Sequence, residues 1–330
     1  MKKTKIILHI GYGKTATTTL QQHFFPYIEE IDYLGKLDNN GKFKFESNYL
    51  LNVLLNKREN IDFKLIEKEL RKYYLSDTIL LSDESILSTS LKIHEFNDEK
   101  IINKPEEIAQ RLRKLFSEEN YNVKILITLR KQDEMITSRY AQSYTHYYSH
   151  YEESNTFKKY LNIFLDKEHT HIYKKALNFN DTVGVFQKEF GNKNVNILLY
   201  EELQKKPEYF YEKLCNILEI DIDKYKLIAL NKHTNKRSTS NGYKKTQSLT
   251  LYNRLQMIKK KLFPFIKLKV TDRQKRMLES IILNKNNQIN RSIILSDNEK
   301  SQIKETYKES NIQLSKRMQL DLDLYGYYDE

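Results

Sequence analysis

Four short apolar runs of strand length divide the first two-thirds of the chain. They are KIILHI (5–10), TILLS (78–82), KILITL (124–129) and VNILLY (195–200). Each is rich in Ile and Leu and is apolar at consecutive positions, which is typical of parallel strands covered by helices on both faces. We therefore predict a parallel strand at each run.

Segments with helical spacing separate the strand-like runs. PEEIAQRLRKLFSEE (105–119) repeats its apolar residues at helical intervals, as do Leu20, Phe24 and Ile28. Strands that alternate with helices predict an α/β fold, with a parallel β-sheet flanked by helices. After about Asn241 the strand pattern fades, so we expect a helical C-terminal extension.

The chain carries few residues that would mark a linker, with four Pro and eight Gly in 330 residues. We predict a single domain over 1–330, with an α/β core over 1–245 and a basic helical part over 246–330. The single cysteine, Cys215, excludes an internal disulfide and favours a reducing compartment. The first apolar run is shorter than the roughly 7–15 residues of a signal-peptide core, and none approaches the roughly 20 of a membrane helix. The expected location is the cytoplasm.

Positive charge is concentrated in one segment. The net charge is +12, and Lys224–Lys285 contains 17 Lys and Arg but two acids, a net of +15. Such a block indicates either a polyanionic partner or a solvated basic helix surface. LYNRLQMIKKKLFPFIKLK (251–269) has the pattern of a basic amphipathic helix, which favours peripheral contact with an anionic membrane at the inner membrane face.

HIGYGKTATTTLQ (9–21) follows the first strand and leads into a helix predicted from near Thr17. Loop amides and first-turn N–H groups converge at the positive end of a helix dipole, so this junction is a natural anion site. GKT at Gly13–Thr15 suggests the triphosphate-binding pattern G-x-x-x-x-G-K-[ST], which needs a glycine where this chain has Leu8. The loop therefore suits a single phosphate, with Lys14 as a point charge and threonine hydroxyls as donors.

A second anion motif lies in KILITLRKQDEMITSRYAQ (124–142). The predicted strand leads directly to Arg130, and Ser138 follows on a predicted helix. An arginine can hold a phosphate through its planar fork while a serine donates one further bond. Two such motifs, each after a buried-type strand, form a combination that chance seldom gives.

Together the two motifs resemble those of sulfotransferases that use 3′-phosphoadenosine-5′-phosphosulfate (PAPS). The family's 5′-phosphosulfate loop, Lys-Ser/Thr-Gly-Thr-Thr, is matched by 14–18, with Ala16 in place of the usual glycine. That departure matters if the residue needs a positive φ. Arg130 and Ser138 match the family's 3′-phosphate site, and FQKEFGNKNVNILLYEEL (186–203) resembles a later, structural strand.

The resemblance implies a phosphate-binding-loop-like sulfotransferase fold, PAPS as donor, adenosine 3′,5′-bisphosphate as product and no metal requirement. It makes 1–245 the cofactor-binding core and adds a loosely matched basic loop at 231–245. The cofactor-binding residues that it implies are Gly13, Lys14, Thr15, Ala16, Thr17, Thr18, Arg130, Ser138, Lys236 and Arg237.

Transfer of a sulfuryl group needs positioning and local electrostatics. Lys14 would neutralise the charge that builds on the bridging oxygen. TILLSDES (78–85) ends a central strand, where ligands bind in such sheets. Because many glycan sulfotransferases use a glutamate base, the resemblance favours Glu84, with Asp83 as the second choice. The alternative is that both acids only cap the next helix.

The segment 140–173 is crowded with Tyr and His, and the resemblance places it beside the acceptor. Aromatic rings stack on sugar faces, although tyrosines half-buried on helix faces explain the pattern equally well. Asp83, His146 and Tyr173 are the candidate substrate residues. The expected acceptor carries a hydroxyl or amine and is a carbohydrate such as a capsule or lipopolysaccharide precursor; small molecules and peptide tyrosine remain open. HTH (169–171) lacks the ligands to complete a metal site.

The sequence also allows two alternative functions. The first is an ATP- or GTP-dependent kinase or NTPase that uses GKT together with ILLSDE (79–84); Leu8 and the Arg130/Ser138 pair argue against it. The second is a basic protein that binds membrane or nucleic acid through 224–285. Membrane contact is compatible with the enzyme, and no nucleic-acid partner is expected.

Overall fold

The centre of the molecule is a five-stranded parallel sheet. A computed structural model describes residues 3–35, 61–88, 104–144, 154–166, 172–231, 242–246 and 288–329. The strands are β1 (Thr4–His9), β2 (Asp32–Gly35), β3 (Thr78–Ser82), β4 (Tyr121–Leu129) and β5 (Val195–Leu199). Their order is β2-β3-β1-β4-β5, and all neighbouring pairs are parallel. The four predicted strands are confirmed, whereas β2 was not predicted.

Helices of various lengths connect the strands. Before β4 they are α1 (Thr17–His23), α2 (Phe63–Arg71), α3 (Ser85–Ser88) and α4 (Pro105–Leu115). After β4 they are α5 (Gln132–Ser143), α6 (Phe157–Leu165), α7 (Ile172–Ala176), α8 (Phe179–Phe190), α9 (Tyr200–Lys205), α10 (Pro207–Leu218), α11 (Ile222–Asn231) and α12 (Asp297–Met318). Short 3-10 turns lie at Phe25–Tyr27 and Asn192–Asn194.

Both faces of the sheet are buried, as the consecutive apolar positions predicted. Successive side chains of a strand point to opposite faces. Ile6 and Leu8 accordingly belong to the large core on one face, whereas Ile7 belongs to a second core with Leu20 of α1 and Leu214 of α10. The α/β fold with a parallel sheet between helices is therefore confirmed.

Strand order places a crevice between β1 and β4. The chain leaves β1 toward β2 and β3 on one side, and it leaves β4 toward β5 on the other. In open parallel sheets, ligands bind beyond the carboxyl ends of the strands where the connections diverge in this way. The loops after β1 and β4, which carry the two predicted anion motifs, meet at this crevice.

The C-terminal part contains strands as well as helix. β6 (Gly242–Thr246) pairs antiparallel with β7 (Gln288–Ser292), so the expectation of a helical chain after Asn241 is wrong at these two positions. Helix α12 confirms it nearer the end, beginning with a capping box between Ser296 and Glu299. The predicted basic helix at 251–269 lies outside the described residues. In the described part of the chain, no helix combines the length and apolar character that crossing a membrane requires.

Candidate active site

The loop after β1 is bound along the neighbouring strand β4. The backbone N–H of Ile10 donates to Leu126 O at 3.0 Å, and that of Tyr12 donates to Thr128 O at 3.3 Å. Gly11 lies between them, and a Cβ there would approach Thr128 Oγ1 to 2.0 Å. Only glycine permits this close contact, which places the loop at the mouth of the β1–β4 crevice.

Two residues of this loop adopt the left-handed backbone conformation. Lys14 has φ 77° and Ala16 has φ 65°, with Thr15 between them outside the positive-φ region. When left-handed residues alternate with residues of negative φ in this way, successive backbone N–H groups point into one concavity that can bind an anion. Ala16 stands where the family that the sequence resembles has glycine. The replacement affects stability, because a Cβ in the left-handed conformation costs roughly 1–2 kcal/mol.

We expect Ala16→Gly to raise the free energy of unfolding by about 1 kcal/mol, because glycine removes the Cβ strain while adding some entropy to the unfolded chain. Urea denaturation measures the change. Ala109→Gly is the matched control, since Ala109 is buried within α4, a right-handed helix. There the same substitution should destabilise by about 1 kcal/mol. A loss of stability in both variants would contradict the strain at Ala16.

The threonines of the loop differ in their surroundings. The Thr15 hydroxyl lies 2.5 Å from Tyr12 O and 2.6 Å from Thr128 Oγ1. Since a carbonyl can only accept, Thr15 donates to Tyr12 and receives from Thr128. Its side chain therefore closes the loop from inside. Thr17 is buried and Thr18 half-buried in the first turn of α1.

Arg130 joins the two predicted motifs. It follows β4 directly, and its Nη1 donates to the backbone carbonyl of Lys14 at 3.2 Å. Its Nε and Nη2 donate to one carboxylate oxygen of Glu134, at 3.1 and 2.8 Å. The guanidinium carbon lies 4.4 Å from the centre of the Tyr200 ring, a cation–π contact. Backbone, ion pair and ring thus hold the arginine beside the β1 loop.

Ser138 lies on the same face of α5 as Glu134, the residue that pairs with Arg130. Glu134 and Ser138 are four residues apart, which puts them one turn apart on one side of the helix. Burial alone would raise the pKa of Glu134, but the charges of Arg130 and Lys131 outweigh it and lower that pKa below its usual value. Arg130, Glu134 and Ser138 therefore form one polar row that begins at the crevice.

The start of α5 is fixed by side chains from distant elements. The backbone N–H of Lys131 donates to Glu201 Oε1 at 2.9 Å, and Tyr327 Oη donates to Glu201 Oε2 at 2.9 Å. The side chain of Gln132 forms paired amide bonds with Asn311 of α12, at 2.9 and 3.2 Å. Burial raises the pKa of Glu201. The C-terminal residues thus brace the turn that carries Arg130.

The predicted acids lie at the carboxyl end of β3, next to the β1 loop. The backbone N–H of Asp83 donates to His9 O at 3.0 Å, which extends the strand pairing, and the Asp83 side chain is buried. Glu84 is half-buried, and its Oε2 accepts a bond from Gln21 Nε2 of α1 at 2.9 Å. Of the two acids, Glu84 is the more accessible.

Sequence reasoning missed a polar cluster next to Glu84, formed by the buried side chains of His9, Ser82 and Gln21 and the half-buried Tyr33. His9 Nδ1 lies 2.7 Å from Ser82 Oγ, and burial lowers the pKa of His9 to about 4. Tyr33 Oη donates to Gln21 O at 3.2 Å. The available signal was that His9 and Ser82 are polar residues that end apolar strands, where the sheet pairs them directly.

Some predicted site residues lie outside the described part of the chain. These are Lys236, Arg237 and His146; for Tyr173 the structure describes the backbone in α7 but not the side chain. Within the described ranges, no three His, Cys, Asp or Glu side chains are grouped as they would be around a metal ion.

A parallel sheet whose central strand leads through a concave loop into a helix is an arrangement that α/β proteins use to bind phosphate. The model of the sulfotransferase domain family matches residues 3–308, and the chain belongs to this family. The predicted family is thereby confirmed. No protein of curated function matches the chain significantly.

Solved sulfotransferase structures are similar to this chain along most of its length. A sulfotransferase from Alicyclobacillus acidocaldarius aligns with TM-score 0.50 and 12% identity, covering 98% of this chain and 99% of that one. The sulfotransferase domain from the curacin biosynthetic pathway aligns with TM-score 0.41 and 12% identity, over 85% and 98%. Mouse sulfotransferase SULT7A1 complexed with PAP aligns with TM-score 0.36 and 15% identity, over 86% and 85%. The first of these likenesses supports the fold.

Proposed function

We propose that the protein transfers the sulfuryl group of PAPS to a hydroxyl or amine of an acceptor. The observation that carries this proposal is the 3.2 Å bond from Arg130 to the backbone of Lys14, which brings two anion-binding motifs together across one crevice. A donor with a phosphate at each end of one nucleoside matches two such motifs. The family to which the chain belongs moves sulfuryl groups.

The residues present fit such a donor. In this proposal Gly13, Lys14 and the backbone of residues 15–18 hold the 5′ end, because the left-handed residues at 14 and 16 shape a concave loop. The side chains of Thr17 and Thr18 add hydroxyls. Arg130 and Ser138 hold the 3′-phosphate, which competes with Glu134 for the arginine. Lys236 and Arg237, outside the described residues, are proposed to add charge.

When bound, PAPS supplies an activated sulfuryl group with adenosine 3′,5′-bisphosphate as the leaving group. The ammonium of Lys14 stabilises negative charge on the leaving oxygen. Glu84 receives the proton of the acceptor, and Asp83 is the second choice because its side chain is buried. We propose a carbohydrate acceptor, such as a capsule or lipopolysaccharide precursor, beside 140–173. This assignment treats 1–330 as one sulfotransferase domain.

Calorimetry with adenosine 3′,5′-bisphosphate tests the donor site directly. We expect 1:1 binding that is about 100-fold tighter than that of adenosine 5′-phosphate, because the second phosphate adds charge-assisted bonds to Arg130. Binding should persist in EDTA, since the proposed contacts come from side chains and amides. Failure to bind the bisphosphate, or a preference for ATP with Mg²⁺, would overturn the proposal. Screening acceptors with ³⁵S-labelled PAPS then identifies the substrate.

A further inference from the structure

We propose that Gln21 is a positioning residue for Glu84: its side-chain amide fixes one carboxylate oxygen and favours the ionised form. The inference rests on the proposed role of Glu84 as the proton acceptor. Gln21 lies on α1 and is 1% exposed, so its amide is directed inward. Its sequence distance from Glu84 is 63 residues, and only the fold brings the two together.

The contacts of the amide leave a single orientation. Nε2 lies 2.9 Å from Glu84 Oε2 and 3.1 Å from Ser82 Oγ. An ionised carboxylate can only accept, so the NH₂ group of Gln21 faces Glu84. Its two protons serve one partner each, Glu84 and Ser82. A hydrogen bond to an ionised acceptor is roughly twice as strong as one between two neutral groups.

Ser82 and His9 extend the hydrogen-bond network of Gln21 away from Glu84. Ser82 Oγ accepts from Gln21 and forms a second hydrogen bond with His9 Nδ1, 2.7 Å away. Because burial lowers the pKa of His9 to about 4, the ring is neutral at physiological pH. The contact with Ser82 thus fixes the orientation of the Gln21 amide on the side away from Glu84.

Two ionisable side chains near Glu84 are uncharged at neutral pH. His9 on β1 is neutral, and Tyr33 on β2 is neutral because burial, Glu84 and Asp83 all raise its pKa. Asp83 beside Glu84 is an acid, whose negative charge opposes a second one nearby. The side-chain amide of Gln21 on α1 is a neutral donor that favours the charged form of Glu84.

Carboxyl ¹³C NMR of the full chain labelled at Glu Cδ measures the effect without an acceptor. The Glu84 signal is the one that disappears in Glu84→Gln. In Gln21→Met, which keeps the volume and removes both protons, we expect the pKa of Glu84 to rise by about one unit, since a bond to the charged form is lost. A pKa unchanged by the substitution would overturn the inference.

Two further variants complete the experiment. Gln187→Met is the matched control, because Gln187 is also buried but contacts Met318 on α12; it should leave the Glu84 signal unmoved. Ser82→Ala removes the hydroxyl that orients the amide and should raise the same pKa by a smaller amount. If Gln21→Met does not fold, this variant decides, and an unmoved pKa there counts against the inference.

The same samples separate this inference from the proposed function. The affinity of Gln21→Met for adenosine 3′,5′-bisphosphate should equal that of the unchanged protein. A wild-type chain that fails to bind this nucleotide contradicts the proposed function. A Glu84 pKa that ignores Gln21 contradicts only the positioning role.

Discussion

Glu84→Gln should lower kcat for sulfuryl transfer about 1,000-fold, because a general base contributes roughly 10²–10⁴ and an amide cannot accept the acceptor's proton. The affinity for adenosine 3′,5′-bisphosphate should stay within about twofold, since the predicted nucleotide contacts lie in the β1 loop and at Arg130. Transfer from ³⁵S-labelled PAPS to an acceptor found by screening gives kcat, and calorimetry gives the affinity.

Two companion variants make the Glu84 result specific. Asp83→Asn tests the second candidate at the same strand end. Glu118→Gln removes an exposed carboxylate that pairs with Arg113, near the opposite end of the sheet, and should leave kcat unchanged. Full activity in Glu84→Gln together with loss in Asp83→Asn would move the base to Asp83.

Arg130→Met should weaken binding of adenosine 3′,5′-bisphosphate by about 100- to 1,000-fold, as expected for the loss of two charge-assisted hydrogen bonds to one phosphate. Adenosine 5′-phosphate should lose no more than about threefold, because it lacks the 3′ group. Arg130→Lys keeps the charge but not the planar fork, so its loss should be intermediate. Calorimetry with both nucleotides measures all of these.

The matched control for Arg130 is Arg71→Met on α2. Arg71 also pairs with a glutamate four residues away, Glu67. It lies on α2, and so outside the two loops that form the β1–β4 crevice. It should leave both nucleotide affinities unchanged. Equal weakening for the two nucleotides in Arg130→Met would show that the arginine acts on the shape of the β1 loop through Lys14 rather than on a 3′-phosphate.

The strands that sequence predicted share one property, and the strands that it missed lack it. The four predicted runs are consecutively apolar because both faces are covered, and this leaves a strong local pattern. The edge strand β2 reads DYLG, which has too few apolar residues to stand out. The pair β6–β7 lies at the two ends of a basic segment, 242 to 292, and its pairing depends on distant residues. Neither β2 nor the β6–β7 pair could be predicted from the local sequence.

The candidate site divides in the same way. Its motifs are short and continuous, so the sequence predicted Lys14 and Arg130 as anion-binding residues and Glu84 as an acid at a strand end. From the sequence, alanine in place of glycine at position 16 matters if that residue has a positive φ. The left-handed conformation itself was found only in the structure. The sequence predicted Thr15 as a cofactor-binding residue, and the structure shows its hydroxyl in contact with Tyr12 and Thr128.

Sequence alone determined the class of fold, the family resemblance and the residues that carry charge toward a ligand, because strand periodicity and loop motifs are local properties. Tertiary structure decided how those residues meet. Arg130 reaches the backbone of Lys14 across 116 positions, and Gln21 reaches Glu84 across 63. Such contacts depend on strand order and helix packing, which no short stretch of sequence encodes.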